Sequence, residues 1–283
     1  MVTPPDVSVV REAAARALGE DRGPEDITSF VLIPADRTCK ARIFAKESGI
    51  LAGVIVAEAV FREASPDILL TRILEDGEPV QKATTVLEMS GPARTILTAE
   101  RSALNFIQRL SGIATLTSRY VQATRSHKAR ILDTRKTTPG LRALEKYAVR
   151  CGGGTNHRMG LYDAFMPKDN HLIFSDTGGN LAEVVRKLRA FDSQVPLTVE
   201  ADTLDQVRQL AELDVDTILL DNMSNETMAQ AVSLIGGRCK TEASGNMTLE
   251  RVPGVAATEV DFISVGALTH SATALDFSLE MTL

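Results

Sequence analysis

Two patterns alternate along the chain from Ala129 to Gly266. Short apolar runs at Arg130 to Leu132, Leu197 to Val199, Thr217 to Leu220, Arg238 to Thr241 and Phe262 to Val265 read as strands. Between them, apolar residues recur at three- and four-residue spacing: Leu141, Leu144 and Ala148; Leu181, Val184, Val185 and Leu188; Leu204, Val207 and Ala211. That spacing places them on one face of a helix, and Thr203-x-x-Gln206 opens the last of the three as a capping box. A polar residue or glycine follows each strand run: Asp133, Glu200, Asp221, Glu242 and Gly266. The steps from Glu200 to Asp221 and from Asp221 to Glu242 are both 21 residues, the length of a strand, a helix and two short loops. Such alternation predicts a parallel sheet closed toward an α/β barrel, with functional residues at the carboxyl ends of its strands.

The first hundred residues follow a different pattern. Val10, Ala14 and Leu18 predict a helix over 7–18. Arg42 to Ile55 and Ile68 to Leu74 read as strands flanking a helix that includes Val56, Ala59 and Val60. Asp76-Gly77 is a turn, Val80, Val86 and Met89 mark further strands, and Gly91-Pro92 closes them. From Thr98 to Leu116 the spacing becomes helical, with Leu104, Ile107 and Leu110 on one side. The prediction is an α+β sandwich domain over residues 1–112, to which 276–283 can return, and a barrel domain over 113–275.

Composition narrows the function classes. With 283 residues, 44% of them apolar, the chain can bury two cores. No run of about 18 uncharged apolar residues occurs, and MVTPPDVSVVREAAA lacks the basic and apolar regions of a secretory signal; a cytoplasmic protein is expected. Cys39, Cys151 and Cys239 show no metal or disulfide spacing, so neither zinc nor a disulfide is expected. A net charge of −6 and the absence of Trp argue against nucleic acid as a partner.

Charge is unevenly distributed. Residues 130–171 hold eight Lys and Arg against four acids, whereas the remainder holds 23 against 33. Within this basic stretch, Arg135-Lys136 follow a strand, and Asn156-His157-Arg158 and Lys168-Asp169-Asn170-His171 lie among glycines and turn formers. Arg binds carboxylate or phosphate through a planar fork and Lys as a point charge, so the stretch reads as a site for a small anion with several oxygens. Gly152 to Gly154 read as a helix C-terminus requiring positive φ.

Asp133-Thr-Arg-Lys-Thr-Thr-Pro-Gly-Leu-Arg142, Lys146-Tyr-Ala-Val-Arg-Cys-Gly-Gly-Gly154, Asn156-His-Arg-Met-Gly-Leu161 and Lys168-Asp-Asn-His171 together resemble the quinolinate phosphoribosyltransferases. Glu100-Arg-Ser-Ala-Leu-Asn105, Leu219-Leu-Asp-Asn222, Glu242-Ala-Ser-Gly245 and Val265-Gly-Ala-Leu-Thr-His270 extend the resemblance over nearly the whole chain. It implies an irregular, incomplete α/β barrel beside the N-terminal sandwich. The implied reaction transfers ribose 5-phosphate from phosphoribosyl pyrophosphate to the ring nitrogen of quinolinate, giving nicotinate mononucleotide, carbon dioxide and pyrophosphate.

By the same resemblance, Arg101, Arg135, His157, Arg158 and Lys168 would clamp the two ring carboxylates, with Thr134 in the same turn, and Lys136 would meet the pyrophosphate. Glu200 and Asp221 would hold Mg²⁺ carried with the pyrophosphate, directly or through water or substrate, or accept ribose hydroxyls, and would favour the cationic sugar. Lys136, Glu200 and Asp221 are thus the expected catalytic set. Ser244-Gly245-Asn246 and Gly266-Ala267 would take the 5-phosphate. The resemblance also implies a homodimer in which Arg101 completes the partner's site, and hydrogen-bonding scaffold roles for His171 and His270. Three positions depart from the family pattern: Pro167 precedes Lys168 where an aliphatic residue is usual and marks a strand edge or bulge, Thr198 stands where a further acid is common, and Ala83 replaces a turn glycine. Two readings stay open beside this one. A molybdenum-associated paralogue would carry degraded Asn-His-Arg and Lys-Asp-Asn-His motifs, both intact here; a Schiff-base lyase would use Lys136 or Lys168 as nucleophile.

Overall fold

In chain order the computed structural model, which describes residues 2–283, contains α1 (Val7–Arg22), α2 (Ile27–Leu32), β1 (Thr38–Ala45), β2 (Gly49–Ile50), α3 (Val54–Ala64), β3 (Leu69–Arg72), β4 (Pro79–Val80), β5 (Thr85–Pro92) and α4 (Ala93–Ala123). It continues with β6 (Arg130–Leu132), α5 (Arg142–Cys151), α6 (Asp169–Phe174), α7 (Leu181–Phe191), β7 (Thr198–Ala201), α8 (Leu204–Leu210), β8 (Thr217–Asp221) and α9 (Asn225–Ile235). It closes with β9 (Lys240–Ser244), α10 (Val252–Ala256), β10 (Phe262–Ser264), α11 (Ala267–His270) and β11 (Phe277–Thr282). Contacts divide the chain into two units: residues up to Ser118 with Thr137–Gly153 and Ser271–Leu283, and Arg119–Lys136 with Gly154–His270. Among the described residues, no helix is long and apolar enough to cross a membrane.

The first unit is built on an antiparallel sheet in the order β11-β1-β5-β3. Along β1 burial alternates, with Cys39, Ala41, Ile43 and Ala45 inside and Lys40 and Arg42 outside, as a sheet with one wet face requires. The predicted strand from Arg42 to Ile55 is too long. It ends at Ala45, and Val54 and Ile55 already belong to α3. Two features cause the switch: Gly53 adopts φ +93°, and the Asp76 carboxylate accepts a 2.9 Å hydrogen bond from Val54 N, capping α3 from outside its own sequence. Asp76 also accepts from the Tyr147 hydroxyl at 3.0 Å, and burial pushes its carboxyl pKa up. Asp76-Gly77 is thus a turn, as predicted, whose acid also organises the core.

The long helix is longer than its apolar spacing suggested, and it starts immediately after Pro92. Facing it within this unit, Gly152 approaches so closely that a Cβ would lie 2.3 Å from Ala114 O, while Gly153 takes the positive φ, +86°. The triple glycine therefore serves close packing as well as a turn. Glu145, on α5, is wholly buried between the predicted apolar positions; it accepts from Thr138 N (3.0 Å), Thr138 Oγ1 (2.7 Å) and Arg109 Nη2 (2.8 Å).

The second unit contains a parallel sheet in the order β6-β10-β9-β8-β7. Single parallel bridges, Leu132 to Thr155 beside β6 and Phe165 to Leu197 beside β7, extend both edges, and residues 156–164 between them form no strand. The result is a mixed α/β fold whose five-stranded parallel sheet has β6 and β7 as open edges, in keeping with the incomplete barrel expected. The chain leaves the sheet after Phe165, so Pro167 lies outside the ladder. The capping box at α8 forms as read, with Gln206 N donating to Thr203 Oγ1 at 3.3 Å and Thr203 N to Gln206 Oε1 at 3.0 Å. The strand expected at Arg238 to Thr241 lies further along, at β9. Arg238 instead finishes α9, its guanidinium donating to the carbonyls of Ile235 and Leu234. Helix α9 fills the place that the 21-residue step from Asp221 to Glu242 left for a helix, while α2, α6, α10 and α11 had no prediction.

Ala83 adopts φ +71° in the exposed turn before β5, where its N donates to Ala45 O at 2.7 Å. An L side chain is strained there and glycine is not. Ala83→Gly should therefore stabilise the protein by a few tenths to about 1 kcal/mol, a melting-temperature rise of about 1–3 °C by calorimetry. A lower melting temperature would mean that the turn carries no such strain.

Candidate active site

The carboxyl ends of β6, β10, β9, β8 and β7 open onto one cavity of about 850 Å³ in the second unit. Parallel register brings this about: Asp221 pairs with Ser244, Leu219 with Glu242 and Ser264 with Leu132, so the strand ends lie side by side. Thr134, Arg135, Lys136, His157, Arg158, Lys168, Glu200, Asp221, Ser244, Gly245, Asn246, Gly266 and Ala267 all line it. Arg101 does not; it is exposed on α4, in the first unit.

The cationic wall rests on a buried acid. Asp133, fully buried at the end of β6, accepts 2.6 Å and 2.8 Å hydrogen bonds from Asn156 Nδ2 and His157 N, fastening the Asn-His-Arg turn to the strand end. His157 Nδ1 accepts from Arg158 N at 2.7 Å, and Nε2 lies 3.3 Å from Glu242 Oε2, so both ring nitrogens face protein groups. Glu242 is itself buried and accepts from the Ser264 hydroxyl. Arg158 donates to Ala164 O at 2.9 Å. Burial, reinforced by the nearby charge of Arg135 and opposed by Asp163, pushes its guanidinium pKa down. Across the turn, Lys136 N donates to Thr134 Oγ1 at 3.0 Å, and Thr269 Oγ1 donates to Lys136 O at 2.7 Å.

The opposite wall is acidic. Glu200 and Asp221 line the cavity, and together with Asp202, which is exposed beside it and outside its lining, each presents a carboxylate oxygen within 4.8 Å of the others. Desolvation, with Asp169 and Asp221 adding repulsion and Lys168 opposing it, pushes the Asp202 carboxyl pKa up. Lys168 donates to Glu200 and links the two walls, while its own N donates to His171 Nδ1 at 3.1 Å, the scaffold role expected of His171. Three oxygen donors with no nitrogen or sulfur make a set that fits a hard cation such as Mg²⁺.

Asp202 was missed, although its signal was available: strand side chains alternate, so Thr198, Glu200 and Asp202 share a side, and Asp202 supplies an acid where Thr198 does not. Glu242 was noted as a strand-end acid but given no role; it stands the same 21 residues beyond Asp221 as Asp221 stands beyond Glu200. The apolar lining from Leu161, Met166, Leu219 and Met247 had no separate signal.

The remaining wall is backbone. Gly245 adopts φ +93° and Asn246 φ +49°, and a Cβ on Gly245 would lie 2.1 Å from Asn222 Oδ1. The N–H groups of Gly245, Asn246 and Met247 meet no acceptor among the described residues, and consecutive N–H groups in such turns form concavities that hold anions. The cavity thus offers cations for carboxylates, acids for a metal or hydroxyls, and main-chain donors for phosphate.

Comparison with known proteins gives the family. A family model described as "Quinolinate phosphoribosyl transferase, C-terminal domain" matches residues 113–280, and the corresponding N-terminal domain model matches 26–111. The chain is 43% identical over 265 residues to a probable nicotinate-nucleotide pyrophosphorylase [carboxylating] of Bacillus subtilis, covering 93% of this chain and 90% of that one. It is 44% identical over 289 residues to the mitochondrial quinolinate phosphoribosyltransferase [decarboxylating] 2 of Nicotiana glauca, covering 96% and 82%. The crystal structure of NadC from Streptococcus pyogenes superposes with a TM-score of 0.94 at 40% identity over 99% of both chains. With both domain models matched in order and relatives aligned over most of their length, the chain belongs to the quinolinate phosphoribosyltransferase family.

Proposed function

We propose that this chain carries out its family's reaction: the phosphoribosyl group of phosphoribosyl pyrophosphate passes to the ring nitrogen of quinolinate, pyrophosphate and carbon dioxide leave, and nicotinate mononucleotide forms for NAD biosynthesis. The observation that carries this reading is the cavity's division into a cationic wall, the acids Glu200 and Asp221 with Asp202 beside them, and a run of open main-chain donors. Quinolinate needs the first, a sugar bearing a metal-bound pyrophosphate needs the second, and a 5-phosphate needs the third.

Arg135, Arg158 and Lys168, with His157 held between Asp133 and Glu242, orient the ring carboxylates and so aim the ring nitrogen. Lys136 meets the leaving pyrophosphate. Glu200 and Asp221, joined by Asp202, accept ribose hydroxyls or hold Mg²⁺, which when bound neutralises the pyrophosphate oxygens. Their negative charge also lowers the energy of the sugar as it becomes cationic. No strong general base is required. The electron pair of the ring nitrogen forms the new bond to the anomeric carbon as the bond to pyrophosphate breaks. The resulting pyridinium then accepts the electron pair left when the 2-carboxylate departs as carbon dioxide, and a proton takes its place on the ring. The protein's part is positioning and charge stabilisation.

The test is release of labelled carbon dioxide from 2-carboxyl-labelled quinolinate, with each component omitted in turn and the product identified by mass spectrometry. Carbon dioxide and nicotinate mononucleotide should appear together, only when donor and Mg²⁺ are both present. Decarboxylation without the donor would sink the idea that ribosylation creates the electron sink.

Arg101 belongs to this reading through a dimer: we propose that it completes the cavity of a second copy, where a contact to a substrate carboxylate would contribute on the order of 1.5 to 3 kcal/mol. Inactive Arg101→Ala mixed with inactive Arg135→Ala, under subunit exchange, should regain activity toward half of wild type per mixed dimer. No recovery, with exchange shown by mass spectrometry, would place the action of Arg101 within its own chain.

A further inference from the structure

Arg251 is absent from the cavity lining, yet it is bonded to two of the loops that form it. Its Nη1 donates to Gly245 O at 2.7 Å and its Nη2 to Met223 O at 2.8 Å. One planar guanidinium therefore spans the loop after β9, where Gly245 and Asn246 follow the strand's last residue Ser244, and the loop after β8, where Asn222 and Met223 follow Asp221. The loops also touch directly: Asn222 N donates to Ser244 O at 3.1 Å, and Asn222 fills the space a Cβ on Gly245 would need. Three residues between them, Asn222, Gly245 and Asn246, have positive φ. Such backbone holds its shape only where surrounding bonds fix it.

Two consequences follow for the loop after β9. Gly245 O is held by the guanidinium, and Asn246 N–H belongs to the same planar peptide group. A cation bonded to that oxygen polarises the peptide and makes its N–H a stronger donor. No carboxylate pairs with Arg251 among the described residues, so its charge remains to favour an anion nearby. We infer that Arg251 is a positioning residue for the donor substrate: it sets the spacing between the phosphate-binding loop and the Asp221 loop, and strengthens the main-chain donors that receive the 5-phosphate. The inference rests on the reading that the Ser244–Asn246 loop takes a phosphate.

The experiment compares wild type, Arg251→Met, Arg251→Gln and Ser244→Ala in steady-state kinetics on the full chain, with ribose 5-phosphate and inorganic pyrophosphate as competing probes and melting curves as the folding control. Arg251→Met should raise KM for phosphoribosyl pyrophosphate about tenfold and weaken inhibition by ribose 5-phosphate to match, with KM for quinolinate within about twofold of wild type. Inhibition by pyrophosphate should change less than inhibition by ribose 5-phosphate, and added guanidinium ion should restore part of the donor affinity. If Arg251→Met does not fold, Arg251→Gln, which can serve only one carbonyl, decides by the same readings. Equal rises for both substrates, or no change for either probe, would overturn the inference. Ser244→Ala separates the two failures. If it weakens ribose 5-phosphate while the Arg251 variants do not, Arg251 alone is misassigned; if neither does, the phosphate reading of the loop falls with it.

Discussion

Several cationic side chains converge on one cavity, and holding them together before any substrate arrives is the constraint the second unit obeys. Like charges at close range cost free energy, more so as water is excluded. The fold answers with acids placed behind or across from them. Asp133 holds the His157 backbone from beneath, Glu242 faces the imidazole, Asp163 accepts from Met159 N and Gly160 N beside Arg158, and Glu200 takes Lys168. Arg158 carries both costs: burial first, and then the charge of Arg135, push its guanidinium pKa down. Substrate carboxylates can offset that cost, so the site is electrostatically prepared for a dianion.

A parallel sheet makes such an arrangement possible. Because β6 to β10 run the same way in close register, the strands deliver polar residues to two neighbouring levels, Glu200 and Glu242 beside Leu219, and Asp221 beside Ser244. Acids and bases separated by scores of residues then meet without any long loop having to be ordered for the purpose. The sheet also leaves residues 156–164 outside regular pairing, and that irregular stretch supplies His157 and Arg158. Backbone turns with positive φ supply what side chains cannot, main-chain N–H groups open to an anion.

Much of this could be read from the chain. Apolar periodicity found α1, α7 and α8, each with one buried face whose period the sequence must respect, and short unbroken apolar runs found the parallel strands, which are buried on both faces. The strand-end rule, sharpened by resemblance, named residues that prove to share one cavity. Other features escaped for physical reasons. Val54 and Ile55 look like strand residues until Asp76 caps them from another turn, a tertiary contact that no local pattern encodes. Arg238 looked like the start of a strand but caps a helix. Glu145 sits among apolar residues because its partners, Arg109 and Thr138, lie elsewhere in the sequence. Arg251 had no signature, because its partners are carbonyl oxygens, which every residue has. Glu242 and Asp202 were within reach of the rules used and needed only their consistent application.

The central claim is that the two walls serve different substrates. Calorimetric titration of Glu200→Gln and Asp221→Asn tests it directly, with quinolinate alone and with phosphoribosyl pyrophosphate plus Mg²⁺ as separate titrants. If the acidic trio handles the donor, both variants keep quinolinate affinity near wild type and lose donor affinity or its Mg²⁺ dependence. Loss of quinolinate binding with donor binding intact would contradict the division of the cavity on which this account rests.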